Sequence, residues 1–346
     1  MSKRYGIVYM GSKEKILSMI DYIFQREYKK KTFIDLFTGG FSVSSYALQR
    51  TKFNVVSNDL NHYVTGLYLD ILNGSENLNI VKYDWISREH FEAVRDNPTK
   101  FDSWYVGYVL NVWSFGCNQK DYLYAKDLEN DKKALHQAIV FDDFRFIKQN
   151  SLFDGLDIPK SITELDFKEY PLKRIAFMEK VKHFIKENRN QPTYDQLRRL
   201  EQMENISQML HLKSIANNCD FKQRLTLHNV DWQELYLSLP KNVLENSFIY
   251  CDPPYENTKQ YLFGSDFDYK TFWKWFRECP YSVYVSSYTA PADIKPINFT
   301  QKQVNLDNGN RNSDRITTKK KAIENIYWNG KGNAEPTFFD QLFPEE

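Results

Sequence analysis

The stretch Ser247-Phe248-Ile249-Tyr250-Cys251-Asp252-Pro253-Pro254-Tyr255 constrains this chain more than any other. An apolar run of strand length stops at a carboxylate, two prolines and an aromatic ring. Proline has no backbone N–H, has a fixed φ, and pushes the residue before it to extended geometry, so neither Pro253 nor Pro254 continues a central strand. The stretch reads as a buried strand entering a turn whose carbonyls accept hydrogen bonds from something other than a neighbouring strand. Asp252 adds a carboxylate acceptor and Tyr255 a flat stacking surface, which together suit a planar group bearing an NH2, such as a nucleobase amine. Asp-Pro is also ordinary turn chemistry, and on these residues alone a plain strand exit is the competing reading.

Other segments repeat the pattern of a strand ending at an acid. Phe33-Ile34-Asp35-Leu36-Phe37 reads as a buried strand, followed by the turn Thr38-Gly39-Gly40-Phe41-Ser42 and a helix through Tyr46, Ala47 and Leu48. A strand, a glycine turn and a helix form the opening of a Rossmann-like nucleotide site, where glycine lets the backbone approach a ligand. The strand Asn54-Val55-Val56-Ser57 delivers Asp59 about two dozen residues after Asp35, near the spacing at which an acid reaches ribose hydroxyls. No G-x-G-x-x-G is present, and Asp35 repels phosphate while welcoming an ammonium, so S-adenosylmethionine suits the pattern better than NAD. Leu225-Thr226-Leu227 and Ser282-Val283-Tyr284-Val285-Ser286 add strands, and Asp231 follows the first of them. Asp35, Asp59, Asp231 and Asp252 thus fall near four strand ends, the edge at which open α/β sheets bind ligands.

Ahead of these, Tyr9-Met10-Gly11-Ser12-Lys13 enters a helical pattern carried by Ile16, Leu17, Ile20, Ile23 and Phe24. Such a glycine turn with a lysine favours an anion, although on these residues alone a surface loop before an amphipathic helix fits better. From about Ile71 to Phe221 the strand grammar stops and the chain turns aromatic, charged and mostly helical, which predicts an insertion between strands of one sheet. Within it, Asn118, Gln119 and Lys120, followed by Tyr122, Tyr124 and Lys126, mix amides, lysines and rings as base and phosphate contacts do. Such a mix also describes a packed loop with a polar rim. Thr193-x-x-Gln196 reads as a capping box opening a helix through Leu197, Leu200, Met203, Ile206 and Leu210. The polar, basic run from Arg311 through Arg315 to Lys319 reads either as a phosphate-contacting loop or as a solvated face, before a closing strand at Ala322–Trp328.

Charge does not choose a partner, because Lys plus Arg number 46 and Asp plus Glu 45. Four scattered cysteines without C-x-x-C spacing predict neither a zinc site nor a disulfide framework. With no apolar run of membrane length and no signal-peptide core, the expectation is a soluble protein of the cytoplasm, bacterial or phage-infected.

These residues resemble the Dam-like, D12-class adenine-N6 DNA methyltransferases over nearly the whole chain. Tyr9 to Lys13 looks like that family's N-terminal cofactor segment, Asp35-Leu36-Phe37-Thr38-Gly39-Gly40 like its main cofactor loop, and Asn58-Asp59-Leu60-Asn61 like its ribose-binding acid. Asn229-Val230-Asp231-Trp232 is similar to the segment that holds the cofactor's adenine, and Asp252-Pro253-Pro254-Tyr255 to the catalytic tetrapeptide. Ser114 to Lys126 and Glu324-Asn325-Ile326-Tyr327-Trp328 also look like family segments. Phe41 departs from the pattern, which often has glycine there.

The resemblance implies an α/β, Rossmann-like S-adenosylmethionine-dependent methyltransferase sheet. Residues 1–70 and 222–346 would form the catalytic domain, and the mostly helical insertion 71–221 would recognise DNA. It implies S-adenosylmethionine bound by Tyr9, Lys13, Asp35, Phe37, Gly39, Gly40, Asp59, Asp231 and Asp252. Catalysis would lie with Asp252, Pro253, Pro254 and Tyr255. Double-stranded DNA would be held by Asn118, Gln119, Lys120, Arg311, Arg315 and Lys319, and no metal takes part. A cognate restriction enzyme acting on the same site without stable association fits the same picture. Cytosine N4, RNA adenine or a glutamine side chain as the methylated amine, and a catalytically silent DNA-binding scaffold, stay open at this stage.

Overall fold

The computed structural model describes residues 5–81, 84–158, 170–188, 200–216, 219–256, 267–297, 302–305 and 321–332. Its centre is a seven-stranded sheet built from β1 (Thr32–Asp35), β2 (Asn54–Asn58), β3 (Leu225–His228), β4 (Ser247–Cys251), β5 (Val283–Ser287), β6 (Lys302–Asn305) and β7 (Lys321–Trp328). The strand order is β3-β2-β1-β4-β5-β7-β6. The first five of these run parallel, while β7 is antiparallel to β5 and β6 antiparallel to β7. Every residue of β1, β4 and β5 is buried. That accounts for their near-continuous apolar sequences, because a parallel strand is covered on both faces.

Alternation along the strands sorts the core into two layers. On one face Phe33, Val55, Phe248, Tyr250 and Tyr284 pack with Ile20, Ile23 and Phe24 of helix α1 (Leu17–Arg26) and with Tyr46 of helix α2 (Ser42–Arg50). On the other, Ile34, Val56, Ile249, Cys251, Val283 and Val285 pack against Trp232, Leu235, Phe272 and Phe276 from the helices Trp232–Ser238 and Tyr269–Glu278.

All the strands expected from the sequence are present. The first ends at Asp35 instead of Phe37: Leu36 still donates its N–H to the Tyr250 carbonyl, but Thr38 donates to that of Asn58, turning the chain across the sheet end. Strand β6 was not expected, since Lys302-Gln303-Val304-Asn305 holds a single apolar residue and shows no period.

Between β2 and β3 the described residues form helices and no strand. Helix α3 (His62–Leu72) packs closely on the helix Ser103–Val112, and Gly107 makes the approach possible: a Cβ there would stand 2.2 Å from the Tyr63 carbonyl oxygen. Val106, Trp113, Tyr122, Met209 and Leu212 extend the first core layer into the insertion. Farther out, the helices Glu129–Phe141 and Tyr170–Asn188 enclose a separate core of Leu135, Ile139, Phe144, Phe177, Val181 and Ile185. The helix expected through Leu197, Leu200, Met203, Ile206 and Leu210 runs Glu201–Ala216, starting one residue after Leu200, while Leu197 and the expected capping box at Thr193 and Gln196 lie outside the described residues.

Candidate active site

The parallel register places the four acids together. Asp35 aligns with Ser57 on β2 and Tyr250 on β4, so Asp59 and Asp252 follow at the same sheet edge. There they line a cavity of about 360 Å³ together with Tyr9, Lys13, Phe37, Gly39, Gly40, Asp231 and Pro254. Every residue expected to bind the cofactor is in that lining.

The glycine loop is braced from two sides. The Gly40 carbonyl accepts the Ile7 N–H at 2.8 Å, and a Cβ on Gly40 would lie 2.6 Å from Cβ of Tyr9, so only glycine lets the N-terminal segment close over the loop. Asp59 accepts the N–H groups of Gly39 at 2.7 Å and Asn61 at 2.9 Å. Burial pushes the Asp59 carboxyl up, and those two N–H groups oppose the rise. Phe41 follows in the left-handed region, at φ 61°, where glycine is the usual residue. Its ring is fully buried and stacks on Tyr68 at 5.2 Å, which answers the departure noted in the sequence: the side chain turns into the core, away from the cleft.

Asp35 lies at the cleft floor. Its Oδ2 accepts a hydrogen bond from Ser44 at 2.6 Å, and Ser44 accepts one from Ser57 at 2.7 Å. Its Oδ1 is buried without a hydrogen-bond partner among the described residues, as is Oγ of Ser12, which also lines the cavity. Burial, with the charges of Asp252 and Asp59 adding and the Ser44 hydroxyl opposing, pushes the Asp35 carboxyl up to about 7. An ammonium group would satisfy Oδ1 and offset that cost. Asp231 caps the helix Trp232–Ser238 by accepting the Gln233 N–H, which fixes the neighbouring Trp232 and Phe37 rings as an aromatic wall.

At the end of β4 the chemistry changes. Asp252 receives a hydrogen bond from Ser286 at 3.0 Å and pairs with Lys13 at 2.7 Å. The Lys13 ammonium stands 4.9 Å above the Tyr255 ring centre, and the Tyr255 hydroxyl donates to Glu324 at 2.6 Å. Tyr288 meets the Tyr255 ring edge-on at 4.4 Å. Pro253 is buried behind Asp252, whereas Pro254 faces the cavity. Burial raises the Asp252 carboxyl, Lys13 pulls it back, and Glu324 adds to the rise. Burial and the nearby carboxylates hold the Tyr255 phenol well above its ordinary value, so it stays a neutral donor. The Cys251 thiol is likewise pushed up by burial and is no nucleophile.

Several participants escaped the sequence reading. Asn58 donates to the Leu36 and Val230 carbonyls and accepts the Val230 N–H, tying three strand ends together. Its position just before an acid was visible, but its partners were not. Ser44 and Ser286 carry no sequence signal. Glu324 did carry one, at the head of the family-like segment Glu324–Trp328 and as a charge inside an apolar strand, but it was not among the predicted site residues.

The expected DNA contacts divide. Asn118 closes a turn by accepting the N–H groups of Lys120 and Asp121, and it and Lys120 are half-buried beside exposed Phe115 and Gly116. Gln119 points inward, donating to Asn111 at 3.1 Å. Arg311, Arg315 and Lys319 lie outside the described residues. Those residues hold no group of three or more His, Cys, Asp or Glu side chains arranged to take a metal, and no helix long and apolar enough to cross a membrane.

A mainly parallel α/β sheet with a glycine loop, acids at the strand ends and an Asp-Pro-Pro-Tyr turn beside them defines a Rossmann-like methyltransferase. More narrowly, the chain belongs to the D12 class N6 adenine-specific DNA methyltransferase family, whose model matches residues 9–295. No curated protein matches it. DNA adenine methylation is therefore its general activity.

Proposed function

We propose that the enzyme transfers a methyl group from S-adenosylmethionine to the N6 amine of an adenine turned out of double-stranded DNA. One observation carries the reading: Asp252 holds an N–H-bearing group, the Lys13 ammonium, directly above the Tyr255 ring. The same spot offers a base amine a carboxylate acceptor and a stacking surface.

The cleft fits the cofactor through Asp35, whose unpartnered Oδ1 awaits an ammonium, and through Asp59, whose oxygens retain lone pairs for ribose hydroxyls. Phe37 and Trp232 supply a wall for an adenine ring. When bound, the cofactor supplies an electrophilic methyl on a sulfonium, so that a C–N bond forms as the C–S bond breaks. Asp252 and the Pro253 carbonyl accept the two N6 hydrogens and draw the amine toward tetrahedral geometry, turning its lone pair to the methyl. Tyr255 holds the base and offsets part of the few kcal/mol lost on unstacking. The amine becomes acidic only as it is methylated, so Asp252 takes the proton late and need not be a strong base. Positioning supplies most of the rate.

Residues 71–221 would carry target recognition. Asn118 and Lys120 would face DNA with Gln119 bracing their loop from within, and Arg311, Arg315 and Lys319 would contact phosphates.

The test is mass spectrometry of nucleosides from DNA incubated with enzyme and labelled cofactor. Wild type should yield N6-methyladenine, and Asp252→Ala should bind cofactor yet transfer no methyl. Near-normal transfer by that variant, or label on cytosine, would sink the reading.

A further inference from the structure

Glu324 lies beyond the stretch matched by the family model and is absent from the residues the sequence singles out as its site. It is 5% exposed, although Ile323 beside it on the same strand is 49% exposed. A buried carboxylate is costly unless its partners justify it. Topology explains how it arrives. Because β7 runs antiparallel to β5, with Asn325 opposite Ser287 and Ile326 opposite Ser286, the residue ahead of that pair projects past the end of β5, toward the Asp252 turn. There its Oε1 accepts the Tyr255 hydroxyl at 2.6 Å and lies 3.3 Å from the Lys13 ammonium, which in turn lies 2.7 Å from Asp252.

We propose that Glu324 is a positioning residue of the methyl-transfer site, anchoring the Tyr255 ring through its hydroxyl and sharing the Lys13 ammonium with Asp252. The inference rests on the adenine-methylation reading above. Two consequences follow from the geometry. The Tyr255 ring is held at both ends, by Tyr288 at its edge and Glu324 at its hydroxyl, so a base meets a fixed platform and not a rotor. Lys13 also has a second carboxylate to retreat to when a base amine claims Asp252. Without Glu324 the ammonium, which also donates to the Gly11 carbonyl at 3.0 Å, would lean more on Asp252 and compete with the base.

The experiment compares wild type, Glu324→Ala, Glu324→Gln and Tyr255→Phe in steady-state methylation of duplex DNA across pH, with cofactor affinity read by calorimetry. Glu324→Ala should lower kcat roughly 10- to 30-fold, the scale of one lost charge-assisted hydrogen bond. Cofactor affinity should stay within about twofold, since Glu324 does not line the cofactor cavity. Glu324→Gln keeps a carbonyl acceptor for Tyr255 and should recover much of the rate. The groups acting on Asp252 are Lys13 from the N-terminal turn, Asp35 from β1, Tyr250 from β4, Ser286 from β5, Tyr255, Tyr288 and Glu324. Of these charges the glutamine change removes Glu324 alone, so the acidic limb of kcat should move to lower pH. Glu324→Ala combined with Tyr255→Phe should be little worse than Glu324→Ala alone, because the alanine change already breaks the Tyr255 contact.

A wild type that leaves adenine unmethylated would overturn the functional reading itself. If wild type is active, two results would overturn the role of Glu324: an alanine variant with normal kcat, or alanine and glutamine variants equally slow with an unmoved acidic limb.

Discussion

Replacing Asp35 by asparagine should change how the stability of the protein depends on pH. In the folded protein the Asp35 carboxyl is raised from 3.8 to about 7 by burial. A carboxyl raised on folding binds its proton more tightly in the native state, so its contribution to stability is whole below the unfolded value and is lost as pH climbs to the folded one. That rise corresponds to about 4 kcal/mol, of which about 3 kcal/mol is lost between pH 5 and 7.5. For a chain of 346 residues, the usual unfolding entropy per residue converts that into a Tm change of about 4 °C. Asparagine does not titrate, and the other raised carboxyls, Asp59 and Asp252, are common to both proteins. The Tm of wild type relative to Asp35→Asn should therefore fall by about 4 °C over this range, measured by scanning calorimetry without ligand.

Ligands sharpen the test. S-adenosylmethionine, bound as proposed, would bring an ammonium to Oδ1 and should flatten the difference, whereas 5′-methylthioadenosine, which lacks the amino-acid part, should leave it. Parallel Tm curves for the two unliganded proteins would refute the burial argument. Equal flattening by both ligands would refute the assignment of Asp35 to the ammonium.

Two further substitutions weigh opposing effects. Phe41→Gly relieves about 1–2 kcal/mol of left-handed backbone cost but gives up a fully buried ring worth about 3–5 kcal/mol, so urea denaturation should show a net loss of about 2–3 kcal/mol. A stabilised variant would show that the ring is not what holds that turn. Asp59→Ala strips the acceptor from the Gly39 and Asn61 N–H groups and should weaken cofactor binding roughly 10- to 100-fold by calorimetry, with unchanged affinity removing Asp59 from the site.

Much of this protein was legible in its sequence because the relevant physics is local. Prolines at 253 and 254 end a strand by lacking N–H groups, glycines at 39 and 40 mark a turn, and the short apolar runs at Phe33, Val55, Phe248 and Val283 read as buried strands. Asp35, Asp59 and Asp252 sit within a residue of such an end and Asp231 three residues past β3, so a common parallel direction was enough to gather the four at one edge. What the tertiary structure decided depends on how distant segments meet. That Lys13 pairs with Asp252 and stands over Tyr255 follows from the N-terminal segment folding back across the glycine loop, and no local pattern encodes it. Gln119 reads as polar and exposed in a loop of amides, yet the loop turns it inward to Asn111. Glu324 joins the site only because the last described strand reverses direction beside β5. The Asp-Pro-Pro-Tyr turn was evident as an acceptor-rich strand end, but its charge balance, two carboxylates sharing one ammonium beside a tethered ring, exists only where three chain segments converge.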